Sequence, residues 1–349
     1  MTEIGAPEPS PPDPSPPRAV DVVGRAIDLN LGASAQIRRG SIYAGLLFLA
    51  AIGPLAALVV AHSIRAGGFD WITDLIASGP TTRVDLGPFA GVVLIIAVVC
   101  AVAISVDVQL IALAVMGSRA VDRSIGLQTA IGLARRRFWR LVFASIAVGL
   151  ILVIPRQILA NALAFASSEL SVLASTALDI GLSAPFAYVG AAVVLGAATS
   201  LQAVRSSWRM ARRRWRLAFL IGVVNTAVSY LAGFAVSAGL DILGRIAIGL
   251  GIDRALGTVQ SIELVAIVAV AIVAIGSLTM TIAVLSVGPQ VVAWLGLGGP
   301  ADGIAEPGTG GGADPASSPI WPSRLVSRPM QVALIIEAAA ALASVARGS

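Results

Sequence analysis

The residues whose types could do chemistry are polar side chains within apolar stretches of the chain. Ser171, Ser175, Asp179 and Ser183 recur at every fourth position, so they lie on one face of a helix. An unpaired aspartate near the middle of a bilayer costs about 2.5–3.5 kcal/mol on insertion scales, so a partner is expected. Arg156, near the end of the preceding apolar stretch, falls at a comparable depth. The pattern therefore predicts an intramembrane ion pair between Arg156 and Asp179.

Three structures fit such a pair. One is a polar cavity or ion path in the outer half of a helical bundle. The others are a structural ion pair that locks two helices together and an exposed segment at the membrane interface. A second polar face, formed by Asn225, Ser229, Gly233 and Ser237, is typical of a tight helix–helix seam, because small residues let two backbones approach.

Two arginine-rich segments have nearly the same sequence, and each precedes an apolar stretch. Residues 134–141 read Ala-Arg-Arg-Arg-Phe-Trp-Arg-Leu, residues 211–217 read Ala-Arg-Arg-Arg-Trp-Arg-Leu, and residues 37–43 form a weaker third copy. Apolar residues at three- and four-residue spacing predict amphipathic helices in the lipid headgroup layer. The candidate contacts to anionic headgroups are Arg135, Arg136, Arg137, Arg140, Arg205, Arg209, Arg212, Arg213 and Arg216. Recognition of a phosphorylated ligand, or a purely topological role, are the alternatives.

Composition excludes several classes of chemistry. His62 is the only histidine and Cys100 the only cysteine, so a histidine-pair metal site and a cysteine cluster cannot form. The chain has no lysine, which removes the lysine of a phosphate-binding loop and of a Schiff base. We therefore predict no catalytic residues, no metal and no cofactor. The net charge of +5 comes from segments that flank apolar stretches, so no nucleic-acid partner is predicted.

Membrane helices are the elements that must position these residues. Hydrophobic residues make up 57% of the 349-residue chain and charged residues 12%, against about 25% charged residues in soluble proteins. Apolar stretches that cross a bilayer must be helical, because lipid cannot satisfy backbone hydrogen bonds. Six spans are expected, starting near Tyr43, Pro88, Leu141, Leu170, Leu217 and Ser261. The predicted fold class is an all-α integral membrane protein with three two-span hairpins, each preceded by a basic amphipathic helix.

The distribution of arginine predicts the topology. All 24 strongly basic residues are arginine, and 19 of them fall in segments on one side of the six expected spans, against five on the other. Positive charge is retained on the cytoplasmic face of membrane proteins. We therefore predict a multi-pass protein of the inner (plasma) membrane, with both termini cytoplasmic and residues 67–85 outside.

Four regions follow from the composition along the chain. Residues 1–22 are rich in proline and are expected to be a disordered cytoplasmic arm. Residues 23–295 form the membrane domain, and residues 296–329 form a flexible linker rich in glycine and proline. Residues 330–349 hold an apolar helix with Glu337 in its middle. This helix is short for a span, so it is expected to lie in the interface or to dock on a partner.

The fourth span is longer than one crossing needs. Leu170 to Val204 is roughly 35 residues, or about 50 Å of straight helix, and Pro185 should interrupt it. Two interpretations fit. A kinked helix that tilts strongly is favoured. In the alternative, residues 161–183 lie in the outer interface and the crossing begins at Pro185.

Part of the sequence resembles a known family. Ala184-Pro185, then Ser-Leu-Gln-Ala-Val-Arg-Ser-Ser-Trp-Arg at 200–209 and Arg-Trp-Arg-Leu at 214–217, are similar to the multi-span membrane domain associated with bacterial glycerophosphoryl diester phosphodiesterases. The similarity covers residues 24–295. The resemblance implies a stand-alone, six-span helical module with a lipid- or envelope-related role. Hydrolysis in that family belongs to a separate soluble domain, so the resemblance brings no catalytic residue to this chain.

Three functions are therefore considered. The first is a non-catalytic accessory or scaffold module that contacts anionic lipid or a membrane protein partner. The second is a transporter of a small solute or lipid that uses an outer polar cavity, and it is favoured if Arg156, Asp179 and the Asn225 face converge on one cavity. The third, a membrane-embedded lipid-processing enzyme, needs acids or nucleophiles near a base, and the sequence shows none.

Overall fold

The fold is a bundle of long helices. The computed structural model describes residues 18–66, 89–123, 125–163, 168–249, 258–304 and 326–347, and these ranges contain helices and turns with no strand. The helices are α1 (Ala19–Gly32), α2 (Ser34–Ala66), α3 (Ala90–Ala120), α4 (Leu127–Leu163), α5 (Ser168–Ser183), α6 (Val189–Val194), α7 (Ser200–Arg213), α8 (Trp215–Gly249), α9 (Thr258–Gly296) and α10 (Arg328–Arg347), with a 3-10 turn over Ala184–Phe186.

Seven helical segments in the described ranges are long and apolar enough to cross a membrane, one more than the six expected. The additional segment is α10, which packs against α2 and α3. Near its end, Ser344 Oγ accepts a hydrogen bond from the backbone nitrogen of Phe89, just before α3. Near its start, Met330 lines a cavity with Asp107, from the other half of α3. The helix therefore lies antiparallel along α3.

Close packing of α2, α3 and α9 forms the centre of the bundle. Glycine makes this possible where α2 meets α9. A Cβ atom added to Gly276 would lie 2.9 Å from the Cα of Gly45 and 3.0 Å from the carbonyl oxygen of Ala44. The two backbones approach here as small residues allow in membrane bundles.

A belt of exposed apolar side chains surrounds the bundle. On α4 the belt runs from Trp139, which is 63% exposed, to Ile158, which is 64% exposed. These residues are roughly 28 Å apart along a helix, close to the ~30 Å of a hydrocarbon core. Trp139 and Trp215 lie at the end of the belt that carries the segments 134–141 and 211–217. We call this the arginine-rich end. Tryptophan is enriched at such membrane edges.

Beyond the belt, at the arginine-rich end, α3 is enclosed by protein. Every residue from Leu110 to Ser118 is buried, whereas Val92, Val98 and Val102 are exposed. The cover comes from α6, from the end of α9 and from Ile304. At 31 residues, α3 is roughly 46 Å long, so it exceeds the bilayer and ends in a packed layer of its own.

The fourth span is broken rather than continuously kinked. Helix α5 ends at Ser183, Pro185 lies in the 3-10 turn, and α6 begins at Val189. Two backbone groups at the break are satisfied by Ser207 of α7. Its hydroxyl donates to the carbonyl oxygen of Pro185 at 2.8 Å and accepts from the nitrogen of Tyr188 at 3.1 Å. The favoured interpretation, a kinked helix, is thus corrected. Proline alone would only bend the helix, whereas the hydrogen bonds from α7 stabilise a complete break.

The expected basic helices differ from one another. Helix α7 is separate, and it ends where Arg214 leaves the helical region with φ −142° and ψ 62°. Before the third span there is no separate helix, because α4 runs unbroken through residues 134–141. The third copy, residues 37–43, lies within α2, and a separate helix, α1, precedes it.

The structure also differs from two expected region boundaries, the end of the N-terminal arm and the start of the linker. The arm expected over residues 1–22 overlaps α1, in which Val22 is buried; residues 1–17 lie outside the described part of the chain. The linker expected over residues 296–329 begins with a packed segment, because Gly303 donates to the carbonyl oxygen of Leu195 and Ile304 is buried. The rest of that linker, residues 305–325, and the expected outer loop, residues 67–85, lie outside the described residues.

We expect Gly276→Ala to destabilise the bundle, because the new methyl group meets the backbone of α2. Overpacking of this kind costs about 1–3 kcal/mol. The matched control is Gly149→Ala on α4, where an added Cβ meets nothing within 4 Å. Thermal unfolding of the two variants in detergent gives the comparison, and an equal melting temperature would contradict the close approach of α2 and α9.

Candidate functional site

A polar cleft lies between α4, α5 and α8. Its volume is about 650 Å³. The polar residues that line it include Arg156, Ser175, Thr176, Asp179, Asn225 and Ser229. Three separate stretches of sequence supply these side chains, and the pairing of α5 with α4 and with α8 brings them together.

The central feature of the polar cleft is the ion pair expected from the sequence. Arg156 Nε lies 2.6 Å from Asp179 Oδ1, and this nitrogen donates to the carboxylate. The two side chains are 49% and 48% exposed within the bundle. Both charged groups therefore retain a free face toward the cleft, and the pair does not fill it.

Asn225 adds an unused acceptor beside the ion pair. Its side-chain oxygen is buried and has no hydrogen-bond partner among the described residues. Ser229 donates to the backbone carbonyl oxygen of Asn225 instead, at 2.9 Å. A buried polar atom without a partner is rare in proteins and calls for an explanation, such as a ligand or ordered water.

The second polar face does not form the expected seam along its whole length. Asn225 and Ser229 line the polar cleft, but an added Cβ at Gly233 would meet nothing within 4 Å, and Ser237 is exposed. The seam interpretation is corrected for this part of the face, because no described residue covers it at Gly233 and Ser237. The periodicity identified the face but not whether protein covers it.

The predicted polar face of α5 enters the polar cleft only in part. Ser175 and Asp179 line it, whereas Ser183 donates to the carbonyl oxygen of Ile180 within its own helix. The side chain of Ser171 lies outside the described residues. Thr176, Thr226 and Tyr230 also line the cleft. The four-residue spacing does not identify them, because each is the sequence neighbour of a position in the pattern.

Toward the arginine-rich end the polar cleft is closed by apolar packing. Ile180 is buried, and an added Cβ at Gly222 of α8 would lie 2.8 Å from its side chain. Between this contact and the arginine-rich end, Ala184, Leu217 and Ile221 are buried as well. The 3-10 turn that breaks the fourth span thus lies at the closed end of the cleft.

Most of the predicted headgroup contacts lie on the surface. Arg205, Arg209, Arg212, Arg213 and Arg216 are exposed, as are Arg136 and Arg140, and Arg135 is half-buried. Exposed guanidinium groups at the edge of the apolar belt are in position to meet lipid phosphates.

Arg137 differs from the other arginines and is corrected as a headgroup contact. Its side chain is buried, at 2% exposed, and donates to the carbonyl oxygen of Val193 at 3.1 Å. Arg140 donates in the same way to Ala197, also at 3.1 Å. Carbonyl groups at the end of a helix lack partners within the helix, so these two arginines satisfy the end of α6 and the turn after it.

A second cleft borders α7. Its volume is about 610 Å³, and Ile151, Phe186, Trp208, Arg205 and Arg209 line it. The rings of Phe186 and Trp208 are 5.9 Å apart. We call this the basic cleft. It combines two exposed cations with an apolar wall at the edge of the belt, an arrangement that matches an anionic headgroup and its acyl chain.

Comparison with known proteins found no match: no family model, no curated protein and no solved structure is similar to this chain. The resemblance to the diesterase-associated membrane domain therefore stays a hypothesis. The site has to be interpreted from its own geometry.

We expect Arg137→Met to lower the free energy of unfolding by about 1.5–3 kcal/mol, the range for a hydrogen bond from a charged group. The reason is that Val193 loses the donor at its carbonyl oxygen. Arg136→Met, at the adjacent exposed position, is the control and should change stability little. Thermal unfolding followed by tryptophan fluorescence tests both variants, and equal stability would show that Arg137 does not hold α6.

Proposed function

We propose that this protein is a membrane transporter that binds a small zwitterionic ligand in the polar cleft. The observation that carries the proposal is the convergence of Arg156, Asp179 and Asn225 on one cavity. The sequence alone left open whether these residues form a seam, a structural pair or a shared site. Their common cleft favours the shared site.

The charges of the polar cleft indicate the ligand's chemistry. A guanidinium group binds phosphate or carboxylate, and a carboxylate binds an amine. Because Arg156 and Asp179 are half exposed, a ligand with both charges can replace their mutual contact without leaving either unpaired. Pockets for small molecules range over roughly 300–1,000 Å³, and this cleft, at about 650 Å³, accommodates a lipid headgroup or a free solute of the same chemistry.

Transport is supported by the way the polar cleft is closed at one end. Ile180 and Gly222 close it toward the arginine-rich end, while the polar face of α8 is uncovered at Gly233 and Ser237 toward the other. The fourth span is broken at the closed end, over Ala184–Phe186. Transporters commonly place their sites beside discontinuous helices, where backbone can rearrange between two states.

We expect Arg156→Gln and Asp179→Asn each to weaken binding of glycerophosphoethanolamine, a soluble zwitterionic headgroup, by about 10- to 100-fold. This matches the loss of one charge-assisted hydrogen bond. Arg245→Gln is the matched control, because Arg245 forms a surface ion pair with Asp241 at 2.9 Å, away from the cleft. Calorimetry on the protein in lipid nanodiscs measures the affinities.

The same variants distinguish the two sources of this ligand. If the ligand is a lipid, native mass spectrometry should show co-purified phosphatidylethanolamine that is lost with Asp179→Asn. If the ligand is a solute, only the soluble headgroup should bind. Binding of neither, or equal weakening by Arg245→Gln, would contradict the proposal.

We further propose a topology with the arginine-rich end in the cytoplasm and α10 as a seventh span. Ser344, near the end of α10, contacts Phe89 just before α3, and Met330, near the start of α10, shares a cavity with Asp107 in the second half of α3. The chain before α10 and the chain after it are therefore placed on different sides of the membrane. The arginine distribution stays one-sided, because only Arg347 changes sides. This replaces the expectation that both termini are cytoplasmic.

Reporter fusions test this topology. A reporter inserted after Gly299 should be active in the cytoplasm, because α9 has returned the chain to the arginine-rich end. One fused after the last residue should be active outside. A cytoplasmic signal from both fusions would restore the six-span topology.

The basic cleft favours a second function, an accessory module that contacts anionic lipid through α7. We expect Arg205→Gln together with Arg209→Gln to reduce the amount of co-purified anionic phospholipid, because these residues line the cleft. Arg212→Gln with Arg213→Gln removes the same charge from the same helix outside the cleft and is the control. Equal lipid loss in both double variants would assign the effect to net charge rather than to a site.

A further inference from the structure

The seventh candidate span carries a carboxyl group in its middle. Glu337 is 0% exposed, and neither of its carboxylate oxygens has a hydrogen-bond partner among the described residues. It lies on α10, which packs against α2 and α3. On either side of it along the helix, Ile335, Ile336 and Leu342 belong to the exposed apolar belt. The carboxyl group is thus at membrane depth and turned into the protein.

An ionised carboxylate in these surroundings is strongly disfavoured. Hydrogen bonds or a counter-charge normally offset the loss of solvation of a buried carboxylate. A carboxylate in apolar surroundings without such a partner takes up a proton instead. Acidic residues within membrane spans generally face the protein interior and often mark proton or ion paths. The position and burial of Glu337 therefore point to a neutral carboxylic acid.

A cavity leads from the arginine-rich end toward this group. Its volume is about 430 Å³. Ala333, one helical turn before Glu337 on α10, lines the cavity, and so does Cys100 of α3. We call this space the α10 cavity. Its wall therefore extends to within one helical turn of Glu337 along α10.

The other end of the α10 cavity holds groups that exchange protons. Tyr43 donates a hydrogen bond to Asp107 Oδ2 at 3.2 Å, and Arg135 interacts electrostatically with Asp107. All three line the cavity at the edge of the apolar belt. A hydroxyl and a carboxylate in hydrogen-bond contact have the chemistry of one step of a proton relay.

We infer that Glu337 is a proton-binding site in the interior of the membrane domain, neutral in the folded bundle and exchanging its proton with water through the α10 cavity. The inference is independent of the polar cleft, which lies between α4, α5 and α8 on other elements. The charged or titratable groups that face this site are Cys100 and Asp107 from α3, Tyr43 from α2, and Arg135 from α4. His62, also on α2, lies toward the opposite end.

Infrared spectroscopy of the full-length protein in lipid nanodiscs tests this inference. At neutral pH, the spectrum of the native protein minus that of Glu337→Gln should contain the carbonyl stretch of a protonated carboxylic acid. In D2O the band should shift to lower frequency as the proton exchanges. Glu337→Asp, which keeps a carboxyl group, should retain a band at an altered frequency. It therefore provides the measurement if Glu337→Gln fails to fold.

A second set of variants tests the route by which Glu337 exchanges its proton with water. Asp107→Asn and Tyr43→Phe should slow the deuterium shift several-fold, because each interrupts the relay. Ser105→Ala is the control on α3, since the Ser105 hydroxyl donates to the carbonyl oxygen of Ala101 in its own helix and Ser105 does not line the cavity. Absence of the band at neutral pH would show that Glu337 is ionised. A band that persists unshifted in D2O would show that the cavity gives no access. Either result would overturn the inference.

Discussion

The structure depends on one constraint: helices that leave the hydrocarbon must still cover their apolar side chains. Helix α3 shows the consequence, because its exposed residues stop near Val102 and its surroundings become fully protein from Leu110 to Ser118. The bilayer shields the first part, so few contacts are needed there. Beyond the bilayer the same helix requires a core of the kind found in soluble proteins, which α6, the end of α9 and Ile304 supply.

This requirement gives the arginines two different roles. Side chains on the outer surface, such as Arg136 and Arg209, can meet lipid phosphates and retain the segment on one side of the membrane. Arg137, the residue after Arg136, points into the protein and donates a hydrogen bond to the carbonyl oxygen of Val193 at the end of α6. A repeat that looks like a topological signal in sequence is therefore partly a packing element, because the packed layer needs donors for the helix ends that it buries.

The sequence predicts the parts of the fold that depend on local spacing. Apolar length predicts six of the candidate spans, and the cost of an isolated charge in lipid predicts the contact between Arg156 and Asp179. The sequence does not predict the features that depend on which other helix packs against a given helix face. The same small-residue spacing fits a seam or an uncovered face, as at Gly233. Nor does local spacing show that α10 packs against α2 and α3, because the residues that cover Glu337 are distant in sequence.

The bundle is unevenly packed, and this difference separates its two candidate sites. Helices α2, α3 and α9 pack closely, with backbone contact between α2 and α9 at Gly45 and Gly276. We therefore expect this half to be the rigid one. Helices α4, α5 and α8 diverge around the polar cleft and have exposed polar side chains between them. A rearrangement that opens the cleft toward the arginine-rich end has to break the packing of Ile180 on Gly222 while leaving the rigid half in place. Because Glu337 contacts that rigid half, proton binding there affects the docking of α10 first, and two packed routes lead on to the cleft, through α3 and α4 and through α9 and α8.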